Sequence, residues 1–484
     1  MIIFLEATNM IIKRLEIKNL HGIYNYNVSF NDDLTFIFGE NGCGKTTILD
    51  IVSSIVTGRL YNLFSYDFDE IVLSYRKATK RSKLEKIRIR ALDDAYEVSL
   101  NNSEIQEVIE DIRRPDEMYS RENDEYAFER RFMSMYKSPR FLKDTFNYIY
   151  LPLSRNSQDG TDMMDSIAYR RRRSMLYSEK DIVNKNYLND SLRYVEEIIR
   201  TGCMRITTTE NSINSKFRSN ILTSSLKVTS EYNFMKLLDS VQDENTLSNI
   251  EKNRSEYIRT LHSLGEWNDD TNKRVENFFK KYRSTFEKMQ QEGRNGGHGV
   301  TIDFLLMNME FNRIKEIASQ AQEIEREKEK VRTPITAFLN TVNDFFGIGE
   351  DKKHISISNE GKIRVEADSP HRKLSLYSLS SGEKQIIIIF ACLIFGLPVG
   401  QSGIYIIDEP EASLHLAWQK SFVESIRRVN NSIQLIFATH APEIIGKYSD
   451  HAVKLQKKIN PLAYQLFFPK SCGGPGEDPP RPSR

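Results

Sequence analysis

The stretch Gly39–Thr46 reads GENGCGKT. It stands between the apolar run Leu34–Phe38, which predicts a buried strand, and Thr47–Val52, which predicts the first turns of a helix. Glycines let backbone N–H groups converge on phosphate oxygens, and a helix N-terminus adds positive potential. In this pattern Lys45 is expected to reach the β- and γ-phosphates, and the Thr46 hydroxyl to bind Mg²⁺. The stretch therefore predicts a nucleotide-binding P-loop on an α/β fold.

A second candidate strand ends in two acidic residues. Ile404–Ile407 are all apolar, and Asp408 and Glu409 follow directly. Acidic residues follow many strands, so the pattern indicates little by itself, but together with a P-loop it is typical of nucleotide hydrolysis. Asp408 is then expected to hold Mg²⁺ through water, and Glu409 to act as the general base on the attacking water.

A third motif, LSSGEKQ over Leu379–Gln385, precedes the apolar helix pattern of Ile386–Phe395. Ser380 and the N–H groups around Gly382 form a second helix start that could bind phosphate. The alternative is a plain helix N-cap. Within a single chain a second phosphate site duplicates the first, unless it serves a nucleotide held by another protomer.

Composition excludes several classes of protein. The 484 residues carry 68 Lys and Arg against 67 Asp and Glu, a net charge of +1, which argues against a polycation that coats nucleic acid. The longest apolar run, Ile386–Leu397, stops at Pro398 and falls short of the roughly 20 residues that span a bilayer. We therefore expect a cytoplasmic protein with no membrane contact. Widely spaced cysteines argue against a disulfide scaffold or a Cys-based zinc site: Cys43, Cys203, Cys392 and Cys472.

The strand patterns lie at the two ends of the chain, and the middle is charged and helix-biased. From Met307 to Phe345 apolar residues step by three and four, which predicts an amphipathic helix, bent or broken at Pro334. This helix forms a short coiled coil or packs against other helices of the same chain. We expect an N-terminal lobe over residues 1–155, a helical insertion over 156–345, a C-terminal lobe over 346–468 and a disordered Gly- and Pro-rich tail over 469–484.

The order of the motifs resembles that of ABC-type ATPase heads, in particular the branch with SMC, RecF and OLD-like proteins. The resemblance rests on five segments: Gly39–Thr46, Leu379–Glu383 (LSSGE), Ile404–Pro410 (IYIIDEP), Ser413–His415 (SLH) and Ala438–His440 (ATH). It implies a P-loop NTPase head with a mixed sheet, assembled from the N- and C-terminal lobes around the helical insertion.

Two segments narrow the resemblance. Asp408–His415 (DEPEASLH) and Tyr150–Arg155 (YLPLSR) look most like the ATPase subunit, PtuA, of Septu-type antiphage defence systems, which also accompanies some retrons. The resemblance implies that nucleotide is bound by Gly39, Asn41, Gly42, Cys43, Gly44, Lys45, Thr46 and Thr47. It also implies that the γ-phosphate on a partner protomer is contacted by Ser380, Ser381, Gly382 and Glu383.

The same resemblance assigns the chemistry. Lys45, Glu409 and His440 would be catalytic, with His440 sensing the γ-phosphate, and Ser413–His415 would couple two sites. Considered alone, a histidine after an apolar strand is more often structural. Mg²⁺ would be held by Thr46, Asp408 and a glutamine, for which Gln158 is the candidate and Arg155 the rival.

The resemblance implies an ATPase that binds ATP and Mg²⁺ and dimerises head-to-tail within a higher oligomer, to regulate a separately encoded HNH nuclease in antiphage defence. DNA or retron nucleic acid is a further expected partner. The alternative is a RecF- or SMC-like ATP-dependent DNA-binding protein in repair, and a third reading is a sensor that turns ATP over slowly. The long separation of Lys45 from Ser380 argues against a transporter ATPase.

Overall fold

The structure is a computed structural model that describes residues 10–79, 82–100, 105–111, 122–152, 187–224, 246–263, 267–294, 302–348, 352–358, 360–368, 371–396 and 403–459. The described residues fall into two compact units, one within Met1–Arg200 and Ala337–Arg484, the other within Thr201–Thr336. Arg155, Gln158 and the predicted tail 469–484 lie outside the described residues.

Five parallel strands form the sheet that carries the P-loop. In spatial order they are β14 (Ala452–Lys454), β3 (Leu34–Phe38), β13 (Gln434–Thr439), β12 (Ile404–Asp408) and β8 (Tyr148–Pro152). The central strands β13 and β12 are buried along their whole length, as expected for a parallel sheet covered on both faces. This explains why they read as continuous apolar runs, and it confirms the predicted α/β fold class.

Two antiparallel sheets complete the first unit. The larger runs in the order β15 (Lys458–Ile459), β2 (Tyr24–Ser29), β1 (Met10–Leu20), β4 (Glu70–Lys77), β5 (Glu85–Ala91), β6 (Ala95–Leu100) and β7 (Gln106–Glu110). The smaller runs in the order β11 (Arg372–Leu374), β10 (Ile363–Ala367) and β9 (Lys353–Ile357). Alternating burial in β5 and β10 shows that one face of each strand packs on the core and the other meets water.

Helix α1 (Lys45–Thr57) begins directly after the P-loop and is buried along most of its length. Helices α2 (Glu122–Met135) and α3 (Lys137–Thr145) follow it in the chain. One apolar cluster of this unit gathers Ile48, Leu49 and Val52 of α1 with side chains of the large antiparallel sheet and of the parallel sheet. The packing of these apolar side chains therefore fixes the position of the start of α1.

The second unit consists of helices with an aromatic core. It contains parts of α4 (Tyr187–Ser224) and α7 (Ile302–Phe346), together with α5 (Thr246–Ser263) and α6 (Asp269–Arg294). The rings of Tyr282 and Phe311 stack at 4.4 Å between centroids, and the buried Tyr282 hydroxyl donates to Asn308 Oδ1 at 2.9 Å. These contacts join α6 to α7 within the unit.

Helix α7 does not break at Pro334, contrary to one of the two possibilities that the sequence left open. Proline in a helix interior removes one hydrogen bond and costs roughly 3 kcal/mol. The apolar spacing continues on both sides of it, with Ala321 buried before and Phe338 and Val342 buried after. Packing on both sides therefore outweighs the cost of the proline.

The remaining helices are α8 (Ser381–Phe395), α9 (Leu416–Val429) and α10 (Pro442–Ile445). The apolar run that the sequence assigned to a buried helix forms α8, in which every residue from Gly382 to Leu393 is buried. No helix in the described part of the chain is long and apolar enough to cross a membrane.

A buried glutamine joins the parallel sheet to the large antiparallel sheet. Gln434, the first residue of β13, is 1% exposed, and its Oε1 accepts a hydrogen bond from the Ile12 N–H at 2.8 Å. Its Nε2 donates to the carbonyl oxygens of Ile12 and Asn31, both at 2.7 Å. The Gln434 side chain thus hydrogen-bonds backbone groups that lie more than 400 residues earlier in the sequence.

We predict that Gln434→Leu lowers the free energy of unfolding by about 2–4 kcal/mol, because leucine leaves buried backbone groups without their partner. Urea denaturation followed by circular dichroism measures the change. The control is Gln106→Leu on the exposed face of β7, which should change stability by less than about 0.5 kcal/mol. Equal losses in the two variants would contradict the bridging role of Gln434.

Candidate functional site

The P-loop connects the end of β3 to the start of α1. Gly42 and Gly44 have φ angles of 75° and 100°, values that favour glycine, and a Cβ on Gly44 would lie 2.9 Å from the Tyr26 hydroxyl oxygen. Gly44 is the N-cap of α1 and offers no side-chain cap. The N–H groups of the first turn of α1 therefore remain available to an anion.

The lysine of the P-loop is buried within it. Lys45 is 6% exposed, and its Nζ donates to the carbonyl oxygens of Gly39 at 3.0 Å and Glu40 at 3.2 Å. These hydrogen bonds hold the ammonium group inside the P-loop. A cation so placed lies beside the free N–H groups of α1 and adds to their attraction for phosphate.

The parallel register brings three strand ends to one edge of the sheet. Phe38 is paired with Thr439, and Ala438 with Asp408. The residues that follow these strands are the P-loop, Glu409 and His440, so motifs that are far apart in the sequence meet at this edge. This is the edge at which open parallel sheets bind ligands.

Asp408 joins the two main motifs. Its Oδ2 accepts a hydrogen bond of 2.9 Å from the Thr46 hydroxyl. Its Oδ1 is buried and has no hydrogen-bond partner within the described residues. A hydroxyl and a carboxylate with an unused oxygen are ligands that Mg²⁺ prefers, so these residues fit the metal that accompanies a bound nucleoside triphosphate.

The Asp408 carboxyl is 1% exposed, and burial raises its pKa to about 7. The hydrogen bond from Thr46 opposes this shift. The neighbouring carboxylates of Glu409 and Asp50 raise the pKa further, and the Lys45 ammonium lowers it. Without a bound cation, the carboxylate form of Asp408 is thus unfavourable.

Glu409 occupies a backbone conformation that is uncommon for its residue type. Its φ of 47° and ψ of 56° lie in the left-handed region, which costs a non-glycine residue roughly 1 kcal/mol or more. Its N–H donates to the Ala438 carbonyl oxygen at 2.9 Å. Backbone strain of this kind concentrates at functional sites. The side chain is partly exposed, as a residue that meets a substrate water must be.

His440 follows β13 and contacts Glu411, the third acidic residue of the DEPEASLH segment. Its backbone N–H donates to Glu411 Oε1 at 2.8 Å, and its Nδ1 lies 3.1 Å from the same oxygen. The Thr439 hydroxyl also donates to Glu411 Oε1, at 2.8 Å. The His440 side chain is 48% exposed, whereas that of Glu411 is 5% exposed. The ring is thus held on one side and open on the other.

The LSSGE segment begins α8 with a capping box. Ser380 donates its N–H to Glu383 Oε2 at 2.8 Å, and its hydroxyl oxygen accepts from the Glu383 N–H at 3.3 Å. Lys353 Nζ pairs with Glu383 Oε1 at 2.5 Å. A Cβ on Gly382 would lie 2.4 Å from the Ser413 carbonyl oxygen, so only glycine allows α8 to approach the loop before α9 this closely. Ser380 is therefore the N-cap of α8, as in the alternative that the sequence left open, and its contact with phosphate stays a prediction.

The structure brings Lys45, Thr46 and Asp408 together, and His440 lies at the same edge of the sheet. No hydrogen bond within the described residues links Ser380–Glu383 to the P-loop. Gln158 and its rival Arg155 fall outside the part of the chain that is described. The individual roles of the site residues stay predictions.

Two residues of the site escaped the sequence analysis. Asp50 accepts a hydrogen bond from the Tyr150 hydroxyl at 2.8 Å, and its negative charge raises the pKa of Asp408. It lies four residues after Thr46 on α1, so helical spacing could have placed it on the same face. Glu411 stands inside a motif already singled out, but only the fold shows that it is buried against His440.

Known proteins show the family to which this chain is related. A family model described as an AAA ATPase domain matches residues 10–445. The Retron Vc95 probable ATPase of Vibrio cholerae serotype O1 biovar El Tor is 20% identical over 467 residues, covering 90% of this chain and 71% of that protein. The Retron Ec83 probable ATPase of Escherichia coli is 31% identical over 99 residues, covering 19% of this chain and 18% of that protein.

Two solved structures are also similar. The Smc head domain with an extended coiled coil bound to the C-terminal domain of ScpA, derived from Pyrococcus furiosus, aligns with a TM-score of 0.38 at 14% identity, covering 93% of this chain and 96% of that one. The Smc head domain with a coiled coil and joint, derived from Pyrococcus yayanosii, aligns with a TM-score of 0.33 at 13% identity, covering 93% and 97%.

We predict that Asp408→Asn stabilises the nucleotide-free, metal-free protein, and does so more as the pH rises. Because burial raises the pKa of Asp408 from 3.8 to about 7, the folded state binds this proton more tightly than the unfolded state. Stability is therefore lost between about pH 4 and pH 7 in the wild type and retained in the variant. The difference should level off above pH 7 at roughly 4 kcal/mol, since the pKa rises by about three and one pKa unit is worth about 1.4 kcal/mol.

Urea denaturation in EDTA at pH 5, 6, 7 and 8 measures this effect. Asp93→Asn, at an exposed aspartate of the β5–β6 connection, is the matched control and should show no such trend. A stability difference between Asp408→Asn and wild type that is the same at pH 5 and pH 8 would show that the carboxylate is not strained by burial.

Proposed function

The chain belongs to the family of AAA ATPase domains, and we propose that it binds ATP with Mg²⁺ and hydrolyses it to ADP and phosphate. The observation that carries the proposal is the pair formed by the Thr46 hydroxyl and Asp408 Oδ2 at 2.9 Å, with Asp408 Oδ1 buried and unpartnered in the described chain. The Lys45 ammonium lies in the adjacent loop.

The chain's own groups account for nucleotide binding. The free N–H groups at the start of α1 and the Lys45 ammonium would bind the β- and γ-phosphates. Thr46 and Asp408 would hold Mg²⁺, which when bound supplies positive charge that neutralises phosphate oxygens. The raised pKa of Asp408 favours this use, because a cation stabilises the carboxylate that burial disfavours.

Two further residues would serve the chemical step. Glu409, held in its strained conformation directly after Asp408, would accept a proton from the attacking water. His440 would contact the γ-phosphate through the exposed side of its ring. Both follow strands of the parallel sheet, and this keeps their backbone positions fixed relative to the P-loop.

We further propose that two protomers enclose ATP head-to-tail, with Lys45 of one protomer and Ser380 and Gly382 of the other on the same γ-phosphate. Ser380 and Ser381 are exposed at the start of α8, although they are not joined to the P-loop of their own chain by any hydrogen bond among the described residues. Leu416, just after the SLH segment, is a large apolar residue that is 49% exposed. A second protomer would cover this surface.

The relatives support a proposal for the biological setting. Both similar curated proteins are described as probable ATPases of retrons, and this supports a role in antiphage defence for the present chain. We propose that ATP-dependent association in the cytosol regulates a separately encoded HNH nuclease, and that the helical insertion, predicted over residues 156–345, transmits the change. Loss of the γ-phosphate would loosen the dimer.

We predict that Glu409→Gln lowers kcat for ATP hydrolysis by roughly 10²- to 10⁴-fold, the range expected for loss of a general base. The variant should also accumulate as an ATP-bound assembly, whose mass is measured by light scattering with and without ATP. Glu424→Gln, at an exposed glutamate of α9, is the matched control and should behave as wild type. An identical mass for Glu409→Gln in both conditions would disprove the role of ATP in joining protomers.

The partner is tested by purifying the tagged protein from its native operon. We expect a small HNH protein to co-purify. The ATPase alone should not bind duplex DNA in gel-shift assays at physiological salt. ATP-dependent binding of duplex DNA by the isolated chain, without any co-purifying nuclease, would instead favour a RecF-like role in repair.

A further inference from the structure

Glu411 is a buried carboxylate that belongs neither to the P-loop nor to the Asp408–Glu409 pair. It lies on the 3₁₀ turn Pro410–Ser413 that follows Glu409, and its side chain is 5% exposed. Its Oε1 accepts hydrogen bonds from the Thr439 hydroxyl and the His440 N–H, both at 2.8 Å. This one oxygen ties the turn after β12 to the end of β13.

The same oxygen also faces the imidazole of His440. The distance from His440 Nδ1 to Glu411 Oε1 is 3.1 Å. A carboxylate oxygen can only accept a hydrogen bond, so this contact favours the form of the ring that carries its hydrogen on Nδ1. The second ring nitrogen, Nε2, is then directed away from Glu411 on a side chain that is 48% exposed. In histidine sites, the partner of one ring nitrogen decides which nitrogen is free for a ligand.

Stability alone is a poor reason to bury this carboxylate. Glu411 Oε2 is buried and has no hydrogen-bond partner in the described residues. A buried carboxylate oxygen without a hydrogen bond costs free energy. The position of Glu411 beside a histidine at the strand edge points to a task performed on that histidine.

We propose that Glu411 is a positioning residue that holds His440 with its hydrogen on Nδ1 and so presents Nε2 to the terminal phosphate of the bound nucleotide. The inference rests on the proposed ATPase function and adds to it a residue that acts through His440. Glu411 itself does not touch the nucleotide.

The chemistry of the ligand then follows. A deprotonated phosphate oxygen can only accept hydrogen bonds, so Nε2 must also carry a hydrogen when the two meet. A nucleoside diphosphate lacks the terminal phosphate and gives Nε2 no such partner. The Glu411–His440 pair thus distinguishes ATP from ADP.

The first test determines the tautomer of His440 in the nucleotide-free protein by NMR with ring-¹⁵N-histidine, with assignment by His440→Asn. Wild type should show the hydrogen on Nδ1. Glu411→Gln should lose this preference, because an amide can either donate or accept at that position. Glu411→Asp should lose it too, since the shorter side chain withdraws the carboxylate while keeping its charge.

Thr439→Val is the matched control for local loosening. It removes a hydroxyl donor from the same Glu411 oxygen but leaves the imidazole contact in place, so the Nδ1–H form should persist. If Glu411→Gln and Glu411→Asp both keep the wild-type tautomer, Glu411 does not position the ring and the inference is wrong.

The second test is a double-mutant cycle on ATP hydrolysis. Glu411→Gln should lower kcat by roughly 10- to 100-fold, the usual effect of losing the partner that orients a site histidine, and should change ADP affinity by less than about twofold. In a His440→Ala background the same substitution should cost nothing further. Losses that multiply would show that Glu411 acts independently of His440.

The two tests separate the inference from the proposed function. The tautomer measurement needs no nucleotide, so it decides the role of Glu411 even if the purified chain fails to hydrolyse ATP. Failure of wild type to bind or hydrolyse ATP would reject the ATPase proposal, whereas normal hydrolysis with an unchanged tautomer in the variants would reject only the role of Glu411.

Discussion

The hydrogen bond between the Thr46 hydroxyl and Asp408 Oδ2 is the contact on which the organisation of the site depends. It joins residues 362 positions apart, and it exists only because parallel strands bring their carboxyl ends to one edge of the sheet. The P-loop, Glu409 and His440 each follow one of these strands, and Asp408 is the last residue of β12. The sheet core fixes their backbone, and the residues beyond each strand end are free to serve chemistry.

The site concentrates groups that are individually unfavourable in the folded chain. Burial raises the pKa of Asp408 to about 7, Glu409 has a left-handed backbone, and Glu411 has a buried oxygen without a partner in the described residues. The apolar strands β12 and β13 and the buried helix α8 offset these costs. A site of this kind is arranged for a cation and a phosphate rather than for the stability of the empty protein.

Much of this arrangement could be predicted from local sequence, and the reasons are physical. Gly44 was recognisable because the P-loop needs glycines at positive φ. Strand β12 was recognisable because a buried parallel strand is apolar throughout, and α8 because its apolar run is longer than a strand. The continuity of α7 through Pro334 was not, because packing on both sides overrides local propensity. The role of Glu411 depends on a contact across two strand ends, and no periodic pattern reports such a contact.

The position of β3 in the parallel sheet bears on how the protein is made. Its two neighbours, β13 and β14, both come from the C-terminal end of the chain. On the ribosome, the P-loop sequence emerges long before β13 and β14, the strands that flank β3. A nascent chain without these strands thus lacks the framework that shapes this loop, and nucleotide capture awaits their translation.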